Sequence, residues 1–211
     1  MAYWGPPFVE EGEQALLACL AAIEMTNRLA SLRRDLPELI GVRAIPVECD
    51  LRIGIATGEA LVGSIGSEFM MSYTVMGDTV NLASRLEQAN KFYGCRSLVA
   101  GSTIAAAGPE IEAREIDRLI VVGQTAAQTV FEIMGRKGDL TPEQLRLRDH
   151  YARGLAAYRA RQWEDTANAF NAALEAAPSD GPARAMLERV SSFKESPPPE
   201  SWDGSWRVEK E

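Results

Sequence analysis

Cysteine and histidine are scarce in this chain of 211 residues: Cys19, Cys49 and Cys95 are the three cysteines and His150 is the single histidine. They form no even set and no CxxC or Cys/His pattern, which excludes a disulfide-stapled scaffold or zinc motif and points to a reducing cytoplasm. Long apolar runs are missing as well. The longest, Ala15 to Ile23, has nine residues, against the roughly 20 a spanning helix needs. The opening MAYWGPPF lacks the basic n-region of a secretory signal, so no membrane segment is expected in this chain. Basic blocks are absent too: the net charge is −8, with acidic and basic residues interspersed. Nothing there would track a phosphate backbone, so nucleic acid is not an expected partner. What remains, 46% hydrophobic and 25% charged, is the composition of a soluble globular domain with a small appendage.

From Glu10 to about Arg34, the residues Leu16, Leu17, Leu20, Ile23 and Leu29 recur near helical spacing, with Pro37 beyond the end; this predicts an amphipathic helix. DLRIGIAT at 50–57 alternates, and Gly58-Glu59 separates it from ALVGSIG, so the two runs read as one hairpin. Gly77-Asp78 opens a helix whose stripe is Leu82, Leu86, Ala89 and Tyr93, with Asp78 as N-cap and Gly94 just past its end. Short strands are expected at 96–100, near 115–122 and at 128–134, with a small helix begun by Ser102-Thr103. The order suggests an α+β fold.

After Gly135-Arg136-Lys137-Gly138 the composition turns to Ala, Arg, Leu and Glu with helical period, so 136–144 reads as a linker and a second unit begins near 139. Gly154, Tyr158, Trp163, Ala167, Phe170, Ala173 and Pro178 follow the small/large spacing of a tetratricopeptide repeat, in which small residues of one helix admit bulky residues of its partner. One repeat spans 145–194, with helix 183–194 able to cap it. Residues 195–211, with Pro197-Pro198-Pro199, Trp202 and Trp206, form a tail that either docks its tryptophans or stays loose.

Chemistry concentrates in SYTVMGDTVNLASRLEQANKFYG, residues 72–94. On the helix, Asn81 and Arg85 lie four apart and so about 40° apart round the axis, separate from the Leu82/Leu86 stripe. On spacing alone such a pair reads as a solvated helix face. Arginine can grip phosphate oxygens with two prongs, and an asparagine amide can donate to an attacking hydroxyl or a developing oxyanion. By propensity Thr74 is an ordinary β-branched strand residue. His150 has no carboxylate or cysteine partner in sequence and is given no role. Tyr158 and Trp163 fit packing positions, and Asp50 and Asp78, the conceivable substitute metal ligands, sit in different elements.

The 72–94 run as a whole closely resembles the signature of class III adenylate and guanylate cyclases, in which a strand, a Gly-Asp or Gly-Asn turn and a helix bearing Asn-x-x-x-Arg recur together. The resemblance spans about residues 1–134, including MAYWGPP, RIGIATGEALVGSIGS and the strands closing through VFEI. It implies an α+β, ferredoxin-like nucleotidyl cyclase domain over 1–135, incomplete because its first strands fall outside the chain, followed by the small all-helical tetratricopeptide-like unit. In that family the residue matching Asn81 orients the ribose 3′-hydroxyl for attack on the α-phosphate, and the one matching Arg85 stabilises charge on that phosphate. Thr74 matches the base-selecting position and resembles members that read adenine; Asp78 joins it among the substrate-binding residues. The two aspartates that hold paired Mg²⁺ or Mn²⁺ in the family fall outside this chain, the second three residues before the position of Met1, so no metal site is expected in the chain alone. Val121-Val122-Gly123-Gln124 stands where many members carry Val-Lys-Gly-Lys, without the triphosphate-contacting lysine.

The ending P-P-P-x-x-W-D-G-x-W resembles bacterial receptor cyclases with a CHASE-type sensor. It implies a parent at the inner membrane with its cyclase facing the cytoplasm, and makes Met1 an internal methionine of a longer protein or the start of a truncated gene. Two functional readings follow. In the first, the chain is an adenylate cyclase catalytic-domain fragment whose parent forms cyclic AMP and pyrophosphate from ATP, as a homodimer or heterodimer with sites between protomers. In the second, it is an inactive cyclase-like module that dimerises and offers its helical repeat to a protein partner. Loss of central strands would expose unpaired backbone, so low solubility is expected of the isolated chain.

Overall fold

A computed structural model describes residues 1–39, 41, 50–67, 70–121 and 126–208. Helix α1 runs from Gln14 to Leu39, five residues past the expected end at Arg34. Pro37 lies inside its last turn, where it gives up the bond to the Arg33 carbonyl and its ring crowds that oxygen, and the helix ends two residues later. Strands β1 (Ile53–Ile55), β4 (Ser97–Ala100), β5 (Ile111–Ile120), β6 (Gln128–Arg136) and β7 (Trp206–Arg207) form one sheet in the order β1-β4-β6-β5-β7. Strands β2 (Leu61–Ser67) and β3 (Met70–Met76) form a separate antiparallel pair, from Leu61 opposite Met76 to Ser67 opposite Met70.

The expected hairpin between 50–57 and the ALVGSIG run is therefore corrected. β1 lies parallel to β4, with Ile53, Gly54 and Ile55 opposite Ser97, Leu98 and Val99, while β2 leaves that sheet and pairs with β3. Alternation and an intervening glycine mark two strands but do not say which neighbour each will take.

Helices cover both faces of the five-stranded sheet. On one, α1 and α3 (Gly101–Ala107) enclose Ala15, Cys19, Val99, Ala107 and Ile111. On the other lie α2 (Asp78–Tyr93), α4 (Pro142–Arg159), α5 (Trp163–Ala176) and α6 (Gly181–Glu195). Their shared core runs from Leu86, Tyr93, Leu98 and Val130 to Tyr151, Tyr158, Phe170, Met186 and Val190. The alternation of β4 sorts its residues, Leu98 and Ala100 to this second core and Val99 to the first. Helix α4 opens with a capping box in which the Thr141 hydroxyl accepts from the Gln144 N–H and the Gln144 side chain accepts from the Thr141 N–H.

One buried cluster thus continues across the stretch read as a linker. Within it α4 meets α5 at the expected small/large pair, where a Cβ on Gly154 would come within 2.8 Å of the Phe170 ring. The C-terminal tail docks: Trp202 stands edge-on to Tyr158 at 5.0 Å and to Phe193 at 5.5 Å. Trp206 and Arg207 pair in parallel with Leu119 and Ile120, an edge strand that the proline-rich sequence did not announce. Strand β5 also starts earlier than expected, at Ile111.

Candidate functional site

Helix α2 is set against β1 with no side chain between them. A Cβ added to Gly54 would lie 2.0 Å from the Ala83 carbonyl oxygen and 2.4 Å from the Glu87 nitrogen, so only glycine permits this backbone-to-backbone approach. Asn90, wholly buried, fixes the same junction: its amide donates to the carbonyls of Ile53 at 2.9 Å and Leu86 at 3.0 Å. Leu86, Ala89 and Tyr93 form the buried stripe, and Gly94, at φ 61°, closes the helix. The N-cap is Gly77, at φ 149°, rather than Asp78. Asp78 is the first helical residue and makes no side-chain cap; its charge sits in the first turn, where the helix dipole favours it.

The face left free holds the predicted residues. By helical geometry Asp78 and Asn81 are about 60° apart, and Arg85 falls within about 20° of Asp78, so all three share one side of α2. Asn81 and Asp78 are exposed and Arg85 is half-buried. Among the described residues neither Asn81 nor Arg85 has a side-chain hydrogen bond or ion pair, which leaves an amide and a guanidinium with uncommitted donors. Thr74 sits on β3, half-buried and opposite Gly63. A Cβ on Gly63 would meet nothing within 4 Å, so the strand surface beside Thr74 is open. Next to it the Tyr73 hydroxyl lies 3.3 Å from that of Tyr3 in the opening segment.

Metal donors are not gathered here. Among the described residues no three His, Cys, Asp or Glu side chains come together as ligands would. Asp50 is engaged by Arg33 at 3.1 Å and Arg96 at 3.2 Å. Burial opposes its ionisation, but the Leu51 N–H and these two guanidinium groups outweigh that and hold the carboxyl below its usual range. Asp78 stands apart on α2, so the present side chains do not fit a paired divalent-cation site. The His150 ring nitrogen Nδ1 lies 3.0 Å from the Arg153 guanidinium. Cys49, Val122, Gly123 and Gln124 lie outside the described residues.

A second polar cluster escapes the sequence reading. Asp117, fully buried on β5, accepts from the Tyr93 hydroxyl at 2.6 Å, from Arg189 Nη1 at 2.5 Å and from the Arg118 N–H at 2.7 Å. Arg189 also donates to the Tyr93 hydroxyl at 3.1 Å and lies 4.1 Å from the centre of the Trp206 ring. Burial, and after it the Asp117 charge, push the Tyr93 hydroxyl well above its ordinary pKa, so it stays a donor. The available signal was Arg189 falling inside the apolar stripe Ala183, Met186 and Val190 of α6.

An α+β sheet carrying a glycine-seated helix with a free Asn-x-x-x-Arg face is the catalytic-domain architecture of a nucleotidyl cyclase. The chain belongs to the class III adenylate and guanylate cyclases: residues 10–133, well over half of it, match the family described as Adenylate and Guanylate cyclase catalytic domain. It is 32% identical to the terminal-differentiation specific adenylate cyclase of Dictyostelium discoideum over 180 residues, 83% of this chain and 8% of that protein. To adenylate cyclase 1 of Rhizobium meliloti it is 35% identical over 139 residues, 64% of this chain and 19% of the other. It therefore spans less than a fifth of the length of these two relatives. The crystal structure of the adenylyl cyclase CyaB from P. aeruginosa superposes with a TM-score of 0.54 at 26% identity, covering 65% of this chain and 68% of that one. No single helix among the described residues is long and apolar enough to cross a membrane.

Proposed function

We propose that this chain supplies the Asn/Arg half of an adenylate cyclase site completed by a second protomer. The carrying observation is that Asn81 and Arg85 share the free face of α2 with their donors uncommitted. In this reading the Asn81 amide orients the ribose 3′-hydroxyl of ATP toward the α-phosphate, and the Arg85 guanidinium takes up charge that develops on that phosphate. The 3′-oxygen gives up its proton to solvent and forms the new bond to phosphorus as the bond to pyrophosphate breaks. Cyclic AMP and pyrophosphate leave, in the cytoplasm. Thr74 accepts from the adenine amino group beside the open position at Gly63, and Asp78 lies on the substrate side. The Mg²⁺ or Mn²⁺ of the reaction supplies charge neutralisation and is held by the other protomer, because the donors among the described residues of this chain do not fit it.

The face of the β2–β3 pair that carries Thr74 also carries Leu61, Ile65, Met70 and Met76, with Leu61 77% and Met70 76% exposed. An apolar face of this kind suits burial against another protomer. Equilibrium dialysis with ATP, GTP and Mn²⁺, on the chain mixed with an intact class III protomer, tests the substrate assignment. ATP should bind about tenfold more tightly than GTP, and Thr74→Ala should erase the preference; equal binding of both nucleotides by the unaltered chain overturns it. The ill-fitting metal donors favour a second reading, an inactive module that dimerises and presents α4–α6 to a protein partner. Cyclic AMP formation that depends on Asn81 excludes it.

A further inference from the structure

Two backbone-to-backbone contacts help to hold helix α2. Near its middle, the backbone at Ala83 and Glu87 rests on Gly54. At its C-terminal end the hold is made by the C-terminal part of the chain. Gly181, the first residue of α6, touches the end of α2 backbone to backbone: a Cβ there would lie 2.4 Å from the Tyr93 carbonyl oxygen and 2.7 Å from that of Gly94. About two turns further along α6, Arg189 ties Tyr93 of α2 to Asp117 of β5. Tyr93 and Asp117 are fully buried, and Trp206 of the docked tail lies over the Arg189 guanidinium at 4.1 Å.

We propose that Arg189 is a positioning residue for α2, so that the C-terminal helices and tail set the angle at which Asn81 and Arg85 are presented. The proposal rests on the cyclase reading for its functional consequence, though not for its structural one. The seat of Ala83 and Glu87 on Gly54 acts as the pivot. Asn81 lies about 6 Å along the helix from the middle of that seat, so a tilt of about 5° set at the Tyr93 end moves it by about 0.5 Å. A misplacement of about 1 Å at reacting groups costs about a hundredfold in rate, so a cost of about tenfold is expected here. A packing-only role would be met by an apolar side chain. Arg189 instead spends its Nη groups on three elements, Asp117 of β5, Tyr93 of α2 and, at 3.5 Å, Tyr158 of α4, and a buried guanidinium with fixed donors defines direction as well as distance.

Three full-length variants test this. Tyr93→Phe deletes one hydroxyl while keeping the ring, the pair Asp117→Asn with Arg189→Met removes both charges together, and Trp206→Leu uncovers the guanidinium. Hydrogen exchange of the amides at 80–85 is compared with that of β6, and cyclic AMP formation is measured with an intact partner protomer lacking its own Asn and Arg. In Tyr93→Phe and the double variant, exchange at 80–85 should rise about tenfold more than in β6, and kcat should fall about tenfold with KM within twofold. Trp206→Leu should show the same pattern more weakly. Exchange that is unchanged at 80–85, or that rises equally in β6, overturns the proposal, as does a fall confined to KM. If the unaltered chain forms no cyclic AMP with any partner, the cyclase reading fails by itself and the exchange pattern still decides whether Arg189 positions α2.

Discussion

Among the described residues Asn81 is an exposed amide with no side-chain hydrogen bond, and that idleness is what separates a catalytic assignment from a stabilising one. Asn81→Ala should leave stability within about 0.5 kcal/mol and lower turnover about 100- to 1,000-fold, measured by thermal melts and cyclic AMP formation beside a complementing protomer. Arg85→Ala should behave alike in turnover. The buried tyrosines, by contrast, bear on stability through their protons. Burial raises Tyr93 and Tyr151 well above the ordinary value of 10 and Tyr158 to about 12. Above pH 10 the unfolded chain loses these protons while the native state keeps them, so the native state binds more protons and stability falls as pH rises. The fall should begin near pH 10, continue through about 12, and be shallower in Tyr158→Phe, as read from urea denaturation midpoints. Asn81 and Arg85 were legible because a solvated pair at helical spacing sat inside a distinctive run. Asn90, Asp117 and Arg189 were not, because a polar residue in a buried stripe gains meaning only from a partner 37, 24 or 72 positions away.

Helix α2 shows why its seating depends on a residue with no side chain. Gly54→Ala would place a methyl 2.0 Å from the Ala83 carbonyl oxygen, and the helix backbone cannot yield as a flexible side chain would. A loss of about 1–3 kcal/mol is expected from overpacking, together with lost activity as α2 is driven off β1; melts and turnover of the variant measure both. A wild-type melt with full activity would remove Gly54 from the account. The β2–β3 pair leads to a different expectation. Its exposed Leu61, Ile65 and Met70 should drive self-association or poor solubility, and Met70→Asp should shift sedimentation toward monomer. Both strands were visible as alternating runs, yet their pairing was misread. Nothing local in DLRIGIAT distinguishes a hairpin partner at 61–67 from a parallel partner at 97–100. The helices from 142 to 195 were visible from composition, period and the small/large spacing that includes Gly154 and Phe170. Their burial on the sheet was not, since an apolar helical stripe does not say what it packs against.

Taken as a whole, the described residues build two cores, one on each face of the five-stranded sheet. The larger joins α2 to the C-terminal helices and tail, which is how the end of the chain can bear on a helix that begins at Asp78. Its family membership accounts for the sheet and for α2, while the docked tail with Trp202 and Trp206 is legible only in three dimensions. The central claim, that residues 81 and 85 complete a nucleotide site across a subunit boundary, has a direct measurement. The chain is titrated into an intact class III protomer whose own equivalents of Asn81 and Arg85 have been replaced by alanine, with ATP and Mn²⁺ present. Cyclic AMP should appear on mixing, rise with the amount of added chain, and vanish when that chain carries Asn81→Ala. No cyclic AMP at any ratio, or formation indifferent to Asn81→Ala, would contradict the account.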